Sequence, residues 1–150
     1  MKNLYDPNDL ETLNARIARL QPDAERQWGT LTVSQALAHC CLGIQMATDE
    51  LRPKRKLIGR ILGPLIKPKV IGDDEPMRRN SPTISESIVL HEPDFATEQA
   101  RLIDLLNQFS TAGPEHCTSH PHAFFGVMTP SEWAILQYKH IDHHLRQFGV

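Results

Sequence analysis

The sequence predicts an all-α protein folded as a four-helix bundle, with a long crossover between the second and the third helix. Apolar residues recur at helical spacing in four segments, and each segment begins at a helix-start signal. Strand-like alternation is confined to TISESIVL, where we expect at most a short extended piece. The 150 residues are 40% hydrophobic and 23% charged, which predicts a single folded domain over 1–150.

The first two helices begin at capping boxes, in which a polar side chain and a Glu or Gln three residues later satisfy free backbone N–H groups. Asn8 is expected to cap the first helix, with Glu11 as its partner. Thr32 is expected to cap the second, with Gln35 as its partner, and that helix stops before Pro53.

The crossover runs from about Arg52 to Glu92. Its prolines predict mostly irregular backbone, although LIGRILGPLI can form a short helix. Residues 52–69 contain seven basic residues and no acidic one. They could dock on an anionic membrane or nucleic acid. The favoured interpretation is a solvated crossover that packs four aliphatic side chains on the bundle: Leu57, Ile61, Leu62 and Leu65.

The last two helices also have clear boundaries. Pro93 opens the third, and Gly113 closes it. Thr129 is expected to cap the last helix, with Glu132 as capping-box partner, and the helix is expected to end at Gly149.

Charge and composition exclude several classes of function. The net charge of −2 gives no global reason to expect nucleic acid as a partner. The N-terminus lacks the apolar core of a signal peptide, and no apolar stretch is long enough for stable membrane insertion, so we expect a cytoplasmic protein. Three cysteines are expected to be reduced thiols in the core: Cys40, Cys41 and Cys117.

Histidines on the last helix fall on different faces. With His140 at zero on a helical wheel, His144 lies at roughly 40°, inside the apolar arc, whereas His143 lies about 60° off on the other side. His140 and His144 should therefore face the core. Gln147, one turn further on, should hydrogen-bond a ligand or a bound water.

His39 on the second helix is the third candidate. Gly43 and Ala36 neighbour it on the wheel, and these small residues should leave a cavity. Histidines at i and i+4 can reach one cation together, and a third imidazole would complete a three-His site with an open fourth position, the catalytic type of centre. The alternative is a set of hydrogen-bonded core histidines.

The C-terminal stretch His140-Ile-Asp-His143-His144-Leu-Arg-Gln147 resembles the closing motif of the DinB/YfiT-like metalloenzyme superfamily. The segment LTVSQALAHC, preceded by Trp28-Gly29, is similar to the second-helix motif of those proteins. Within this superfamily the chain is more similar to one branch, a bacterial group of unknown function whose members carry HP-x-FG, then W, then KH-x-DHH-x-x-QF. The corresponding residues here are His120-Pro121, Phe124-Phe125-Gly126, Trp133 and Lys139 to Phe148.

The resemblance implies metal ligands at His39, His140 and His144, with zinc or nickel as the divalent ion, and homodimerisation. Some members of the superfamily are transferases or isomerases that use a low-molecular-weight thiol, and others are described as hydrolases. We therefore expect a metal-dependent transferase or hydrolase that acts on a small molecule, with His143 or His120 relaying protons. The alternative is a non-catalytic helical module for binding or interaction, in which the histidines are structural. Neither the substrate nor the reaction follows from the motif.

Overall fold

The protein is all-helical, as predicted. The computed structural model describes all 150 residues and contains five α-helices and no strand. The segment TISESIVL contains a single 3-10 turn, Ser85–Ser87, instead of the extended piece expected there. The helices are α1 (Pro7–Arg19), α2 (Val33–Ala47), α3 (Leu57–Ile71), α4 (Phe95–Ala112) and α5 (Pro130–Gln147).

Helix starts follow the capping signals with one exception. Thr32 caps α2 and Thr129 caps α5, and both capping boxes are formed as predicted. The cap of α1 is Asp6, so the prediction of Asn8 was wrong: the Asp6 carboxylate accepts hydrogen bonds from the backbone N–H groups of Asn8 and Asp9. Pro7 explains the difference, because proline suits the first helical position and leaves the cap to the residue before it.

The ends of α4 and α5 differ slightly from expectation. Asp94 caps α4, so this helix begins just after the expected Pro93, and it ends before Gly113 as predicted. The last helical residue of α5 is Gln147, not Gly149. Gly149 has φ +77°, a left-handed conformation that ends a helix and that glycine adopts without strain.

Helices α1, α2, α4 and α5 supply most of one core, to which Ile71 of α3 also contributes. Both α1 and α2 pack against α4 and α5, and α2 packs most extensively against α4. Their contact surfaces are aliphatic and aromatic, with Leu13, Ile44, Leu106 and Trp133 among the least exposed side chains. The Gln99 side-chain amide donates to the Ile17 carbonyl at 2.7 Å, which ties α4 to the end of α1.

Polar contacts fix the rotation of α5. The Asp142 carboxylate accepts from the Arg16 guanidinium of α1 at 2.6 Å and from that of Arg146 at 2.7 Å. The buried Lys139 ammonium donates to the Asp73 carboxylate at 3.0 Å and to its carbonyl at 2.9 Å. Asp142 is thus held by α1 and Lys139 by the crossover. With both residues held, the face of α5 that carries the histidines is directed toward α2.

The crossover is less irregular than expected, because α3 continues through Pro64 and Pro68 to Ile71. The predicted packing of its aliphatic side chains on the bundle was wrong. Leu57, Ile61 and Leu65 remain 76%, 73% and 68% exposed, and Leu62 is exposed as well. The reason is the small residues on the opposite side of α3, which bring that side against the rest of the protein.

None of the five helices combines the length and the apolar character that crossing a bilayer would require.

Gly63 should be intolerant of a side chain. A Cβ there would lie 2.2 Å from the Phe124 carbonyl oxygen, a backbone atom that cannot rotate away. We expect Gly63→Ala to lower the free energy of unfolding by about 1–3 kcal/mol in urea denaturation, although alanine favours helix. Ile61→Ala on the exposed side of the same helix should change it by less than about 0.5 kcal/mol. Equal effects of the two variants would contradict this packing.

Candidate metal centre

Three histidines from two helices converge in the interior. His39 of α2 is buried, and His140 and His144 of α5 are partly exposed. One ring nitrogen from each lies within 4.8 Å of the others. The Nε2 atoms of His39 and His140 are only 2.8 Å apart, and each ring meets the other two edge to face. This group could hold a metal ion.

Two of the rings have their tautomer fixed by carbonyl partners. His39 Nδ1 donates to the Ser87 carbonyl at 2.8 Å, and His144 Nδ1 donates to the Gln147 side-chain carbonyl at 2.8 Å. A carbonyl oxygen only accepts, so both Nδ1 atoms carry hydrogen and both Nε2 atoms present lone pairs. The Nε2 lone pair of His39 faces His140 Nε2 at a distance at which two lone pairs repel. A proton on His140 or a shared cation relieves that repulsion.

Burial keeps the three imidazoles neutral. It lowers the pKa of His39, against a smaller opposite effect of the Ser87 hydrogen bond. Burial, followed by the neighbouring His39 and His144, lowers the pKa of His140 well below its usual range. The pKa of His144 falls to about 3, again mainly by burial. A metal binds only the neutral ring, so this cluster is in its binding-competent protonation state at neutral pH.

Gln147 orients His144 and is itself held by the segment before α2. Its Nε2 donates to the Trp28 carbonyl at 2.7 Å, and its backbone carbonyl accepts from the Gln27 N–H at 2.8 Å. Gly29 has φ +77°, and a Cβ there would lie 2.5 Å from Gln147 Nε2. The amide therefore has one available orientation, in which its carbonyl oxygen faces His144. From the sequence, Gln147 is expected to hydrogen-bond a ligand or a bound water; in the structure its side chain joins His144 to Trp28.

Gln137 is a neighbour of the site that the sequence analysis missed. Its Oε1 is buried and accepts no hydrogen bond. A Cβ on Gly43 would be 2.7 Å from this oxygen and 3.0 Å from His140 Nδ1, so both atoms press against the same point of α2. The cavity expected beside His39 is thus filled by groups from α5. The available signal was spacing, because Gln137 precedes His140 by one helical turn.

The two histidines expected to relay protons lie in different places. His143 adjoins the cluster, since its ring meets His144 at 5.2 Å and Trp28 at 5.8 Å between centroids. Burial lowers its pKa. His120 is not brought to the cluster. Its backbone N–H donates to Thr118 Oγ1, which donates to Asp49. Asp49 lies just beyond the C-terminal end of α2, and that end is roughly two helical turns from His39.

His122, from the loop before α5, is also close to the site. Its Nδ1 accepts from the backbone N–H groups of Phe124 and Phe125, both at 3.1 Å. The ring lies against Phe125 and Trp133, with centroids 4.8 and 5.3 Å away. Burial lowers the pKa of His122 to about 4, and a charge on it would lower the pKa of His140. His120 was expected to relay protons from this loop, but it is the charge of His122 that acts on His140.

Residues 2–149 match a family described as "Protein of unknown function (DUF1569)". The chain belongs to the DUF1569 family. No curated protein and no solved structure matches it. The family match agrees with the predicted resemblance to a group of unknown function. The wider DinB/YfiT relationship rests on the sequence motif alone. The DUF1569 match covers both α2 and α5, and so all three histidines of the cluster.

Gly43 allows α5 of this DUF1569 protein to approach α2. We therefore expect a side chain at this position to affect stability and metal affinity differently. Gly43→Ala should lower the affinity for Zn²⁺ about tenfold in titration calorimetry, because the methyl group displaces Gln137 and His140. The gain in helix propensity, about 1 kcal/mol, should offset much of the steric cost in stability. Ala100→Gly, at an exposed position of α4, is the control for propensity alone. An unchanged affinity in Gly43→Ala would contradict the packing described here.

His122 should contribute to acid sensitivity. Its pKa is about 4 in the folded chain and near 6.5 when unfolded, so the unfolded state binds the extra proton between these values. Its contribution to stability is present above pH 6.5 and is lost as the pH falls toward 4. Protonation of Nδ1 would also remove the acceptor for two N–H groups.

We expect His122→Phe to reduce the slope of unfolding free energy against pH in this window by up to about 1.4 kcal/mol per pH unit, measured by urea denaturation in chelator. His91→Phe, at an exposed histidine, should leave the slope unchanged. The slope is the criterion, because the Phe substitution can alter stability at every pH. A slope identical to wild type would show that His122 titrates normally.

Proposed function

We propose that the chain is a DinB-like four-helix bundle, a single domain over 1–150, that binds one divalent metal ion through His39, His140 and His144. The convergence of three neutral ring nitrogens within 4.8 Å carries this proposal. The bundle is supported by the contacts of α1 and α2, each of which packs against both α4 and α5. In this reading α3 is an addition within the crossover.

The residues present fit such an ion. In His39 and His144, Nδ1 binds a carbonyl and the lone pair on Nε2 remains available to an ion. The Nε2 atoms of His39 and His140 contact each other, and no Lys or Arg side chain lies between them. Three imidazoles are a typical donor set for zinc or nickel and leave a fourth position open. A bound ion of this kind lowers the pKa of a coordinated water or thiol.

The protein's own thiols are unsuited to act as the nucleophile. Burial raises the pKa of Cys41 to about 12 and that of Cys40 well above its usual range, and it also raises the pKa of Cys117. All three are therefore protonated at neutral pH and weakly nucleophilic. A thiol-dependent reaction at this site would use a low-molecular-weight thiol from solution, and a hydrolase would use water.

His143 is the residue we assign to proton transfer. Its ring adjoins His144 and is neutral at neutral pH, so it can accept a proton. The nearest carboxylate in sequence, Asp142, already binds Arg16 and Arg146 and is not free to act as a base. His120, beside Asp49 and Pro53, is the weaker candidate for the same role.

One observation favours a non-catalytic module as the second candidate. The 2.8 Å between the two Nε2 atoms is also a normal N–H···N distance, so a metal-free core with a proton on His140 would satisfy both rings. In that case the histidines are structural, and the protein serves binding or interaction. The two candidate functions predict different effects of a chelator on the stability of the protein.

Metal analysis of the purified protein separates them. We expect one Zn²⁺ or Ni²⁺ per chain by mass spectrometry. With metal at about 100 times the dissociation constant, the free energy of unfolding should rise by about 2.7 kcal/mol relative to chelator-treated protein. His39→Ala, His140→Ala and His144→Ala should each abolish this gain. Gln147→Ala should weaken affinity about tenfold.

His91→Ala and His120→Ala are the matched controls, since both remove a histidine outside the cluster. They should bind metal as the wild type does. Absence of stoichiometric metal, together with a stability that chelator leaves unchanged, would support the structural module and refute the metal centre. For the reaction, metal-loaded protein would be assayed with thiol–electrophile pairs and with hydrolysable esters, and His143→Gln should lower the turnover of whichever is active.

A further inference from the structure

The outer surface of α3 is an apolar face without any partner in the chain. Its members are aliphatic and exposed, at 76%, 61%, 73%, 37% and 68% for Leu57, Ile58, Ile61, Leu62 and Leu65. We call these five residues the outer face. Contiguous apolar surface of this kind marks a site of interaction.

The glycines of α3 explain why this surface points away from the protein. Gly59 and Gly63 are buried, and a Cβ on either would lie within 2.7 Å of Phe124 backbone atoms. On a helical wheel, these glycines lie roughly opposite Leu57 and Ile61. The first part of the helix thus packs through its glycines and keeps five large apolar side chains outside, whereas Ile71 at its end is buried in the core. A helix that served only to cover the core would have the reverse arrangement.

Positive charge surrounds the outer face. Residues 52–69 carry seven of the sixteen Lys and Arg residues and none of the eighteen Asp and Glu residues. Lys56 and Lys67 pair with Glu86 and Glu132 toward the body of the protein. Lys54, Arg60 and Lys69 are exposed and form no ion pair. Their long side chains can reach anionic groups while their aliphatic stems border the apolar surface.

We propose that the outer face of α3 docks on the interface of an anionic lipid membrane. Aliphatic side chains enter the boundary between headgroups and acyl chains, and the unpaired cations bind lipid phosphates and carboxylates. Nucleic acid fits less well, because a polyanionic backbone would leave five exposed aliphatic side chains of one helix in water. A second copy fits less well because pairing two outer faces would bring their unpaired cations together. Docking is independent of the proposed metal centre.

Sedimentation with lipid vesicles tests this proposal. The full chain should bind vesicles containing about one third phosphatidylserine at least tenfold more strongly than pure phosphatidylcholine, and the difference should shrink as salt is raised. Lys54→Gln/Arg60→Gln should weaken this binding about thirtyfold at low salt. Arg19→Gln/Arg78→Gln, which removes two exposed charges elsewhere, is the matched control and should bind as the wild type does.

The apolar contribution is tested separately. Leu57→Asn/Ile61→Asn should abolish vesicle binding, whereas Ile88→Asn/Leu90→Asn, at two exposed aliphatic residues outside α3, should not. His140→Ala should bind vesicles normally, so failure of the metal centre and failure of docking are distinguishable. The proposal is overturned if neither vesicle binds, if both bind equally, if the chain binds duplex DNA more strongly than the anionic vesicles, or if Leu57→Asn/Ile61→Asn converts a stable dimer to a monomer.

Discussion

The contact between α2 and α5 at Gly43 determines the geometry of the histidine cluster. A side chain at this position would meet Gln137 and His140 at or below 3.0 Å, so only glycine allows the two helices to come this close. At this separation, His39 from one helix and His140 from the other bring their Nε2 atoms within 2.8 Å. A wider spacing would leave two separate buried imidazoles, each needing a polar partner of its own.

Loops far away in sequence orient the rings that this contact brings together. Ser87 lies in the crossover and Trp28 in the segment before α2, yet one holds His39 directly and the other holds His144 through Gln147. The crossover therefore does more than connect α2 to α4. Its Asp73 also binds the buried ammonium of Lys139, next to His140 on α5. Loosening the crossover would release both the ring of His39 and the rotation of α5.

The sequence contained what was needed to group the three histidines, because helical periodicity separates His140 and His144 from His143. Capping boxes at Thr32 and Thr129 were equally readable, since their spacing is local. The hydrogen-bond partners of the imidazole rings could not be predicted from the sequence. The carbonyl of Ser87 carries no residue-specific signal, and its approach to His39 depends on how the crossover folds back.

The predicted packing of α3 was wrong for a related reason. The sequence indicated a helix in this segment, but periodicity does not say which face turns inward, and the choice depends on the fit of Gly59 and Gly63 against the Phe124 backbone.

The histidine cluster makes the fold sensitive to acid. Burial of several imidazoles removes them from water, and the lowered pKa values mean that acid must destabilise the folded chain. Aliphatic residues on these faces would pack without that penalty. Gly43, Gln147 and Gly29 are further constraints that serve the orientation of the rings and not the packing of the core. Residues that weaken local stability yet act together at one point are typical of binding and catalytic sites. These features support the proposed metal ion, since a need to fill the core would not require them.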